Sequence, residues 1–220
     1  NVMLTLRPEG QLYAPMVATG EDFTVALKGD GSVWTWGINN YGQLGDGTYI
    51  NRAYPVQVTL SIDEETGVRD YISDIKRIAA GERFVLALRN DGLLYAWGDN
   101  TSGQLGVEIN NETTEDGTAI EDSRSLPVEI DLTDGVDFTE ITDIAAGKNH
   151  TVIVLNNDTV YTWGDNTYGQ LGTGENGSYI PNQVKGFNGG GYLTDIISVK
   201  AGSYHTVALK RDGSGWAWGR

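Results

Sequence analysis

The stretch Val33-Trp34-Thr35-Trp36-Gly37-Ile38-Asn39-Asn40-Tyr41-Gly42-Gln43-Leu44-Gly45 decides the fold of this 220-residue chain. It reads as an apolar strand that runs into a glycine-rich turn, and it returns at 94–106, at 160–172 and, in part, at 216–219. An Ala-x-Gly step, reduced to Ala-Gly in the fourth copy, precedes each stretch, and its glycines are Gly20, Gly81, Gly147 and Gly202. Both these glycines and the Trp-Gly pairs are separated by 61, 66 and 55 residues, which indicates an internal repeat.

Each repeat carries the signals of four short strands. An apolar segment leads into the Ala-x-Gly, a second strand follows, an Asp-Gly or Asn-rich turn reverses the chain, and the Trp-Gly strand closes a hairpin. The second strands are predicted at 23–27, 84–88, 150–155 and 205–209. A further strand is predicted to start near each of Pro55, Pro127 and Pro181. We therefore predict an all-β chain with one antiparallel, four-stranded blade per repeat.

The repeat predicts a single domain over residues 1–220, because each unit buries its apolar face against its neighbours. Its parts are a partial-repeat hairpin at 1–16, unit 1 at 17–74, unit 2 at 75–140, unit 3 at 141–195 and an incomplete unit 4 at 196–220. Insertions around 61–70 and at 107–125 are expected to be loops, the second of them strongly acidic. The glycines of the Gly-Gln-Leu-Gly turns are expected to have a positive φ or a close backbone neighbour.

Composition excludes several classes of function. The net charge of −15 repels phosphate backbones and anionic membranes, so we expect no nucleic-acid partner. No stretch approaches the roughly 18 apolar residues of a membrane span, so no membrane insertion is expected. The chain has no cysteine, which removes disulfides and zinc-thiolate sites. The chain lacks a signal peptide and an initiator methionine and stops inside a motif, so we expect it to be a fragment of a longer protein. As a separate expectation, an extracellular or surface location in a bacterium is favoured over the cytoplasm.

The repeat resembles the regulator-of-chromosome-condensation family. The resemblance rests on the order Ala-x-Gly-x-x-His-Thr, apolar strand, Asp-Gly, apolar-x-Trp-Gly-x-Asn-x-x-Gly-Gln-Leu-Gly, which the second and third units match almost end to end. It covers essentially the whole chain. It implies a β-propeller of four-stranded antiparallel blades, with about four blades here, or roughly half of a seven-bladed ring.

The family uses one scaffold for different tasks, so the fold does not settle the function. One member exchanges guanine nucleotide on a small GTPase, one senses ultraviolet light through tryptophans, and one inhibits β-lactamases by presenting its loop face. The photoreceptor's extra Trp has no counterpart at 21–22, 82–83, 148–149 or 203–204, so photosensing is not expected. We expect a non-catalytic module whose propeller loops bind a protein partner. The alternatives are an exchange-factor-like regulator of a small GTPase and an architectural domain of a larger bacterial surface protein.

Partner contacts are expected on the loops that follow the Ala-x-Gly steps and the Trp-Gly strands. In the exchange factor the equivalent face meets the GTPase, although its acids match only Asp99 and Asp165 loosely and Ile38 breaks the match in the first unit. The candidate partner-binding residues are Glu21, Asp22, Glu82, Arg83, Asp99, Lys148, Asn149, Asp165 and Tyr204.

No catalytic, cofactor-binding or metal-binding residue is predicted. His150 and His205 stand where the first units carry Phe23 and Phe84, which favours packing over proton transfer. Carboxylates at 107–125 have the chemistry of calcium ligands but lack the spacing of a calcium loop, so a solvated loop is favoured. Trp36, Trp97, Trp163 and Trp218 are expected at blade interfaces.

Oligomerisation is expected from the repeat itself. An open half-ring exposes an apolar blade face at each end, and the last unit shows no polar cap of the kind that repeat arrays need. Because two copies together supply enough blades for a ring, we expect a homodimer through the exposed terminal blades.

Overall fold

The computed structural model describes residues 12–109, 122–131 and 140–220, and these form four consecutive blade sheets and one separate two-stranded sheet. Blade 1 contains β1 (Met16–Thr19), β2 (Phe23–Leu27), β3 (Val33–Gly37) and β4 (Arg52–Gln57). Blade 2 contains β7 (Ile75–Ala80), β8 (Phe84–Arg89), β9 (Leu94–Asp99) and β10 (Ser123–Glu129). Blade 3 contains β11 (Ile141–Ala146), β12 (His150–Leu155), β13 (Val160–Gly164) and β14 (Ser178–Gln183). Blade 4 contains β15 (Ile196–Ala201), β16 (His205–Lys210) and β17 (Gly215–Gly219).

Every blade is an antiparallel meander in which neighbouring strands in the chain are neighbours in the sheet. The strand that ends at the Ala-x-Gly step lies at the inner edge, and the strand with the proline lies at the outer edge. The predicted all-β propeller of four-stranded antiparallel blades is thus confirmed. The predicted hairpin at 1–16 lies almost entirely outside the described residues.

The insertion around 61–70 differs from the loop that the sequence predicted. It forms a separate two-stranded hairpin of β5 (Thr59–Ile62) and β6 (Arg69–Tyr71). Arg69 anchors this hairpin by donating to the Asp46 carbonyl at 2.5 Å. The sole helical element in the described ranges is the 3-10 turn Phe187–Gly189, so none there has the length and apolar character needed to cross a bilayer.

The outer strands begin three or four residues before their prolines, earlier than the sequence predicted. In each of the three outer strands the pairing register shifts across the proline segment, for example between Gly37↔Arg52 and Thr35↔Val56. Proline has no N–H to donate, so it is tolerated at an edge or a bulge. The repeated proline therefore also makes the outer edge of blades 1, 2 and 3 a poor template for another strand.

Successive blades pack through apolar side chains of their middle strands. From β8, Phe84, Leu86 and Leu88 face blade 3, whereas Val85 and Ala87 face blade 1. All five side chains are fully buried. Because side chains alternate across a strand, one run of apolar residues serves both interfaces.

A hydrogen bond between neighbouring blades recurs at each junction. The indole N–H of Trp97 donates to the main-chain carbonyl of Gln43 at 3.0 Å, and Trp163 and Trp218 donate in the same way to Gln104 and Gln170. This confirms that these tryptophans lie at blade interfaces. The glutamine contributes its main-chain carbonyl to the neighbouring blade, while its side chain accepts an N–H within its own turn, as Gln43 does from Tyr41 at 2.9 Å.

The glycines of the repeat satisfy two different demands. In the Gly-Gln-Leu-Gly turns the φ angles are positive, for example 74° at Gly42 and 62° at Gly45, as the sequence predicted. In the Ala-x-Gly steps an aromatic ring lies directly on the glycine. A Cβ added to Gly81 would come within 2.0 Å of the Phe84 ring and within 2.6 Å of the Gly147 carbonyl oxygen.

Gly81→Ala is expected to lower the free energy of unfolding by about 1–3 kcal/mol, the range for overpacking a close-packed site. The Phe84 ring is fully buried and cannot move away without displacing its neighbours. Gly215→Ala is the matched control, because no atom lies within 4 Å of the added Cβ and neither Gly215 nor Gly81 has a positive φ. Chemical denaturation of both variants checks the prediction, and equal losses of stability would contradict it.

Candidate functional site

The loops that follow the inner strands meet at one end of the blade stack, and we call this end the loop face. Hydrogen bonds between main chains connect these loops from blade to blade. The Glu21 N–H donates to the Glu82 carbonyl at 2.9 Å, Glu82 to Lys148 at 3.3 Å, and Lys148 to Ser203 at 3.3 Å. The loops surround a recess of about 300 Å³ whose walls are mainly alanine and glycine. The repeat therefore places the same loop position of all four blades side by side.

At the junction of blades 1 and 2 the loop face carries a cation–aromatic pair. The Arg83 guanidinium lies 4.8 Å from the centre of the Tyr41 ring and donates through Nη1 to the Tyr41 hydroxyl at 2.8 Å. Arg83 also forms a salt bridge with Glu21 at 3.2 Å. Three contacts thus hold Arg83 in one orientation at the surface, although its side chain remains 36% exposed.

At the junction of blades 3 and 4 two tyrosines and a lysine come together. The rings of Tyr168 and Tyr204 meet edge to face at 4.9 Å, and the Lys148 ammonium lies 5.8 Å from the Tyr204 ring centre. Lys148 also pairs with Glu82 at 2.9 Å. The hydrogen bond to Glu82 raises the pKa of Lys148, so this side chain keeps its charge at neutral pH.

These contacts bring together five of the nine predicted partner-binding residues, namely Glu21, Glu82, Arg83, Lys148 and Tyr204. Asp22 and Asn149 lie in the same loops, Asp22 exposed and Asn149 half-buried. Tyr41 and Tyr168 belong to the same face and escaped the sequence analysis, because their repeat position looks like an ordinary turn residue. The role of all nine residues in binding stays a prediction.

The two predicted aspartates lie in a different environment from the other candidates. Asp99 is 4% exposed and accepts the Thr101 N–H at 2.9 Å. Asp165 accepts the Thr167 N–H at 2.9 Å and the Gln170 side-chain amide at 2.8 Å. Both carboxylates therefore close the turns in which they lie.

The sequence analysis also missed a polar link that runs through three blades near the axis. The buried Asp143 of β11 accepts from Arg77 of β7 at 2.8 Å. Its other carboxylate oxygen accepts from the Ser198 hydroxyl of β15 at 2.8 Å and from the Val199 N–H at 3.0 Å. A carboxylate within an otherwise apolar inner strand was the available signal, and the three side chains occupy one repeat position.

Both histidine rings lie over the glycine of their own Ala-x-Gly step, as Phe23 and Phe84 do. His150 is completely buried and its Nε2 lies 3.0 Å from Thr206 Oγ1, whereas His205 is exposed. The ring position is thus a packing position, as the sequence predicted.

The described ranges contain no group of three or more His, Cys, Asp or Glu side chains placed to hold a metal ion. Most of the acidic insertion at 107–125, for which calcium binding was weighed against a solvated loop, lies outside the described residues. The best-defined feature of the surface is therefore the ordered set of charged and aromatic side chains on the loop face.

Comparison with known proteins places these features in a family. The family model for the RCC1-like domain matches residues 4–220. Protein pim1 of Schizosaccharomyces pombe is 31% identical over 92% of this chain and 36% of its own length. The ultraviolet-B receptor UVR8 of Arabidopsis thaliana is 31% identical over 93% of this chain and 41% of its own length.

A solved structure is similar along nearly the whole chain. Prp20p from Saccharomyces cerevisiae, described with its binding properties to Gsp1p and histones, superposes with a TM-score of 0.67 and 26% identity. The match covers 96% of this chain and 47% of that structure. The chain therefore spans less than half the length of each of these relatives.

Substitutions on the loop face and in the axial link are expected to differ in their effect on stability. Arg83→Ala should cost at most about 1 kcal/mol, the range for exposed ion pairs. Asp143→Ala should cost roughly 1–3 kcal/mol, because it leaves the Val199 N–H without its acceptor, while the partly exposed Arg77 can be solvated. Thermal and chemical unfolding of the two variants measure the difference. A loss above 2 kcal/mol for Arg83→Ala would make the loop-face pair a structural element.

Proposed function

Because the chain belongs to the RCC1-like domain family, we propose that it is a non-catalytic protein-binding module that uses the loop face. The observation that carries this proposal is the prepositioned pairs Arg83–Tyr41 and Tyr204–Tyr168 at two blade junctions. Tyrosine and arginine are the residue types that contribute most to binding energy at protein interfaces. Side chains that are already held in place lose less conformational entropy when a partner binds.

Charge supports a basic partner. The net charge of −15 raises the encounter rate with a positively charged protein and repels an acidic one. Prp20p is described with binding to Gsp1p and to histones, so these two proteins are the first probes for this chain.

A double variant of Tyr168→Ala and Tyr204→Ala is expected to weaken binding to the responding probe at least about tenfold, which corresponds to about 1.4 kcal/mol. Tyr71→Ala is the matched control, because Tyr71 is 45% exposed, close to the 44% of Tyr168, and lies on the β5–β6 hairpin. Surface plasmon resonance with immobilised chain, at one fixed salt concentration, measures both. Equal effects of the double variant and the control would place the binding surface elsewhere.

A second candidate function is regulation of a small GTPase. It is supported by the similarity to Prp20p and its described binding to Gsp1p. Release of a fluorescent guanine nucleotide from Gsp1p, with and without the chain, separates simple binding from exchange. The third alternative, an architectural domain of a bacterial surface protein, stays a prediction that fractionation of the source cells tests.

The end faces of the blade stack support self-association. Val207 and Leu209 of β16 are 41% and 43% exposed, whereas Val152 and Val154 at the same positions of β12 are completely buried. At the other end Val17 of β1 is 70% exposed. At each blade interface, the face that one blade turns toward the following blade packs on the opposite face of that following blade. Blade 1 exposes a face of the second kind through Val17, and blade 4 exposes a face of the first kind through Val207 and Leu209. We propose that in solutions of this 220-residue chain a second copy covers them head to tail.

Light scattering at micromolar concentration is expected to show a dimer or a larger assembly of the chain. The double variant of Val207→Asp and Leu209→Asp should shift it toward monomer, because two carboxylates cannot be buried in an apolar interface without a large cost. Val68→Asp, at an exposed site on the β5–β6 hairpin, is the control and should leave the assembly unchanged. A monomer at all concentrations would refute the homodimer.

A further inference from the structure

His150 is part of a hydrogen-bonded chain at the junction of blades 3 and 4. Its Nε2 lies 3.0 Å from the hydroxyl oxygen of Thr206, which belongs to the next blade. The Thr206 hydroxyl donates to the Gln170 carbonyl at 2.8 Å, and the same carbonyl accepts the Trp218 indole N–H at 2.9 Å. The imidazole is therefore connected to the recurring contact that joins these two blades.

The hydrogen bonds determine where the proton of the neutral ring lies. A hydroxyl has one hydrogen, and Thr206 uses it for the Gln170 carbonyl. His150 Nε2 must therefore donate to Thr206, so the neutral ring carries its hydrogen on Nε2. The other nitrogen, Nδ1, is buried without a hydrogen-bond partner and lies against Gly147.

A second proton could add only at Nδ1, where it would meet no acceptor. Burial is the main cause that lowers the pKa of His150 to about 4 from an ordinary 6.5. The charged groups that act on the ring are Asp165, which favours protonation, and His205, which opposes it. The imidazolium is thus disfavoured by the junction as it is packed.

We propose that His150 makes the junction of blades 3 and 4 sensitive to acid, so that protonation at Nδ1 loosens the contact between these blades. The same junction holds Tyr204 against Tyr168 on the loop face, so loosening it separates the two rings. The statement about the two rings rests on the proposed function, because it makes acid a regulator of the protein-binding face.

The chain itself shows that the other junctions lack this device. Phe23 and Phe84 occupy the ring position in blades 1 and 2 and cannot be protonated. In blade 2 the position that corresponds to Thr206 is occupied by Val85, which has no hydroxyl. The Gln43 carbonyl therefore accepts from the Trp97 indole without a hydroxyl beside it. The effect of histidine protonation is therefore confined to one junction out of three.

The sign of the pH dependence follows from a depressed histidine pKa. Below pH 6.5 the unfolded chain binds a proton at His150 that the packed junction excludes. The stability that the neutral ring contributes is complete above about pH 6.5 and is lost as the pH falls toward 4.

The test uses His150→Phe, which reproduces the residue found in blade 2, with His205→Phe as the matched control. Hydrogen exchange read by mass spectrometry, corrected for intrinsic rates, compares segment 201–220 with segment 84–99 at pH 7 and pH 4.5. In the parent chain and in His205→Phe, we expect acidification to lower the hydrogen-exchange protection factors of segment 201–220 at least tenfold more than those of segment 84–99. In His150→Phe the two segments should fall alike.

An NMR titration of the two histidines supplies a second measurement that does not depend on a variant. A His150 ring that titrates near its ordinary pKa of 6.5, or an equal acid effect on 201–220 in His150→Phe and in the parent chain, would overturn the proposal. Neither measurement involves a partner, so their failure is distinct from a failure of the proposed function. Binding to the responding probe at pH 7 and pH 5, in the parent chain and in His150→Phe, then tests the regulation.

Discussion

The structure depends on one repeated hydrogen bond, in which a main-chain carbonyl of the Gly-Gln-Leu-Gly turn accepts the indole N–H of the next blade. A sheet with two apolar faces is not stable alone, because each face must be covered by another layer. A buried indole supplies a large apolar surface but needs an acceptor for its N–H. The turn carbonyl meets that need, so the same contact buries apolar area and sets the order of the blades.

The loop face is a consequence of this contact. The Gly-Gln-Leu-Gly turn, whose carbonyl accepts the indole N–H, lies beside the loop that follows the inner strand of the next blade. The residue directly before this turn therefore contacts that loop. At the first junction this brings Tyr41 to Arg83, and at the third it brings Tyr168 to Tyr204. One variable position is in the turn, at Tyr41 and Tyr168, and the other is in the facing loop, at Arg83 and Tyr204. A substitution at either position can therefore alter the binding surface while the residues that hold the blades together stay the same.

The junctions are alike in architecture and different in chemistry. The Gln104 carbonyl accepts from both Trp163 and the Thr151 hydroxyl, whereas at the Gln43 carbonyl the corresponding hydroxyl is replaced by Val85. Such differences change the local polarity of a junction while the packing stays the same. A repeat array can thus carry a property, such as sensitivity to acid, at one interface and keep the others insensitive to it.

The amino-acid sequence by itself determined the repeat, the strands of the hairpins, the glycines with positive φ and the ring position of the histidines. Each of these follows from residues close together in the chain, where alternation and turn chemistry act directly. Only the tertiary structure decided that the β5–β6 insertion pairs with itself, that the glutamine main chain rather than its side chain joins the blades, and that Arg77, Asp143 and Ser198 meet. Arg77 and Asp143 are 66 residues apart, and Tyr41 and Arg83 are 42 apart. Whether such residues touch depends on how far each blade is rotated from the last, and no local pattern in the sequence carries that angle.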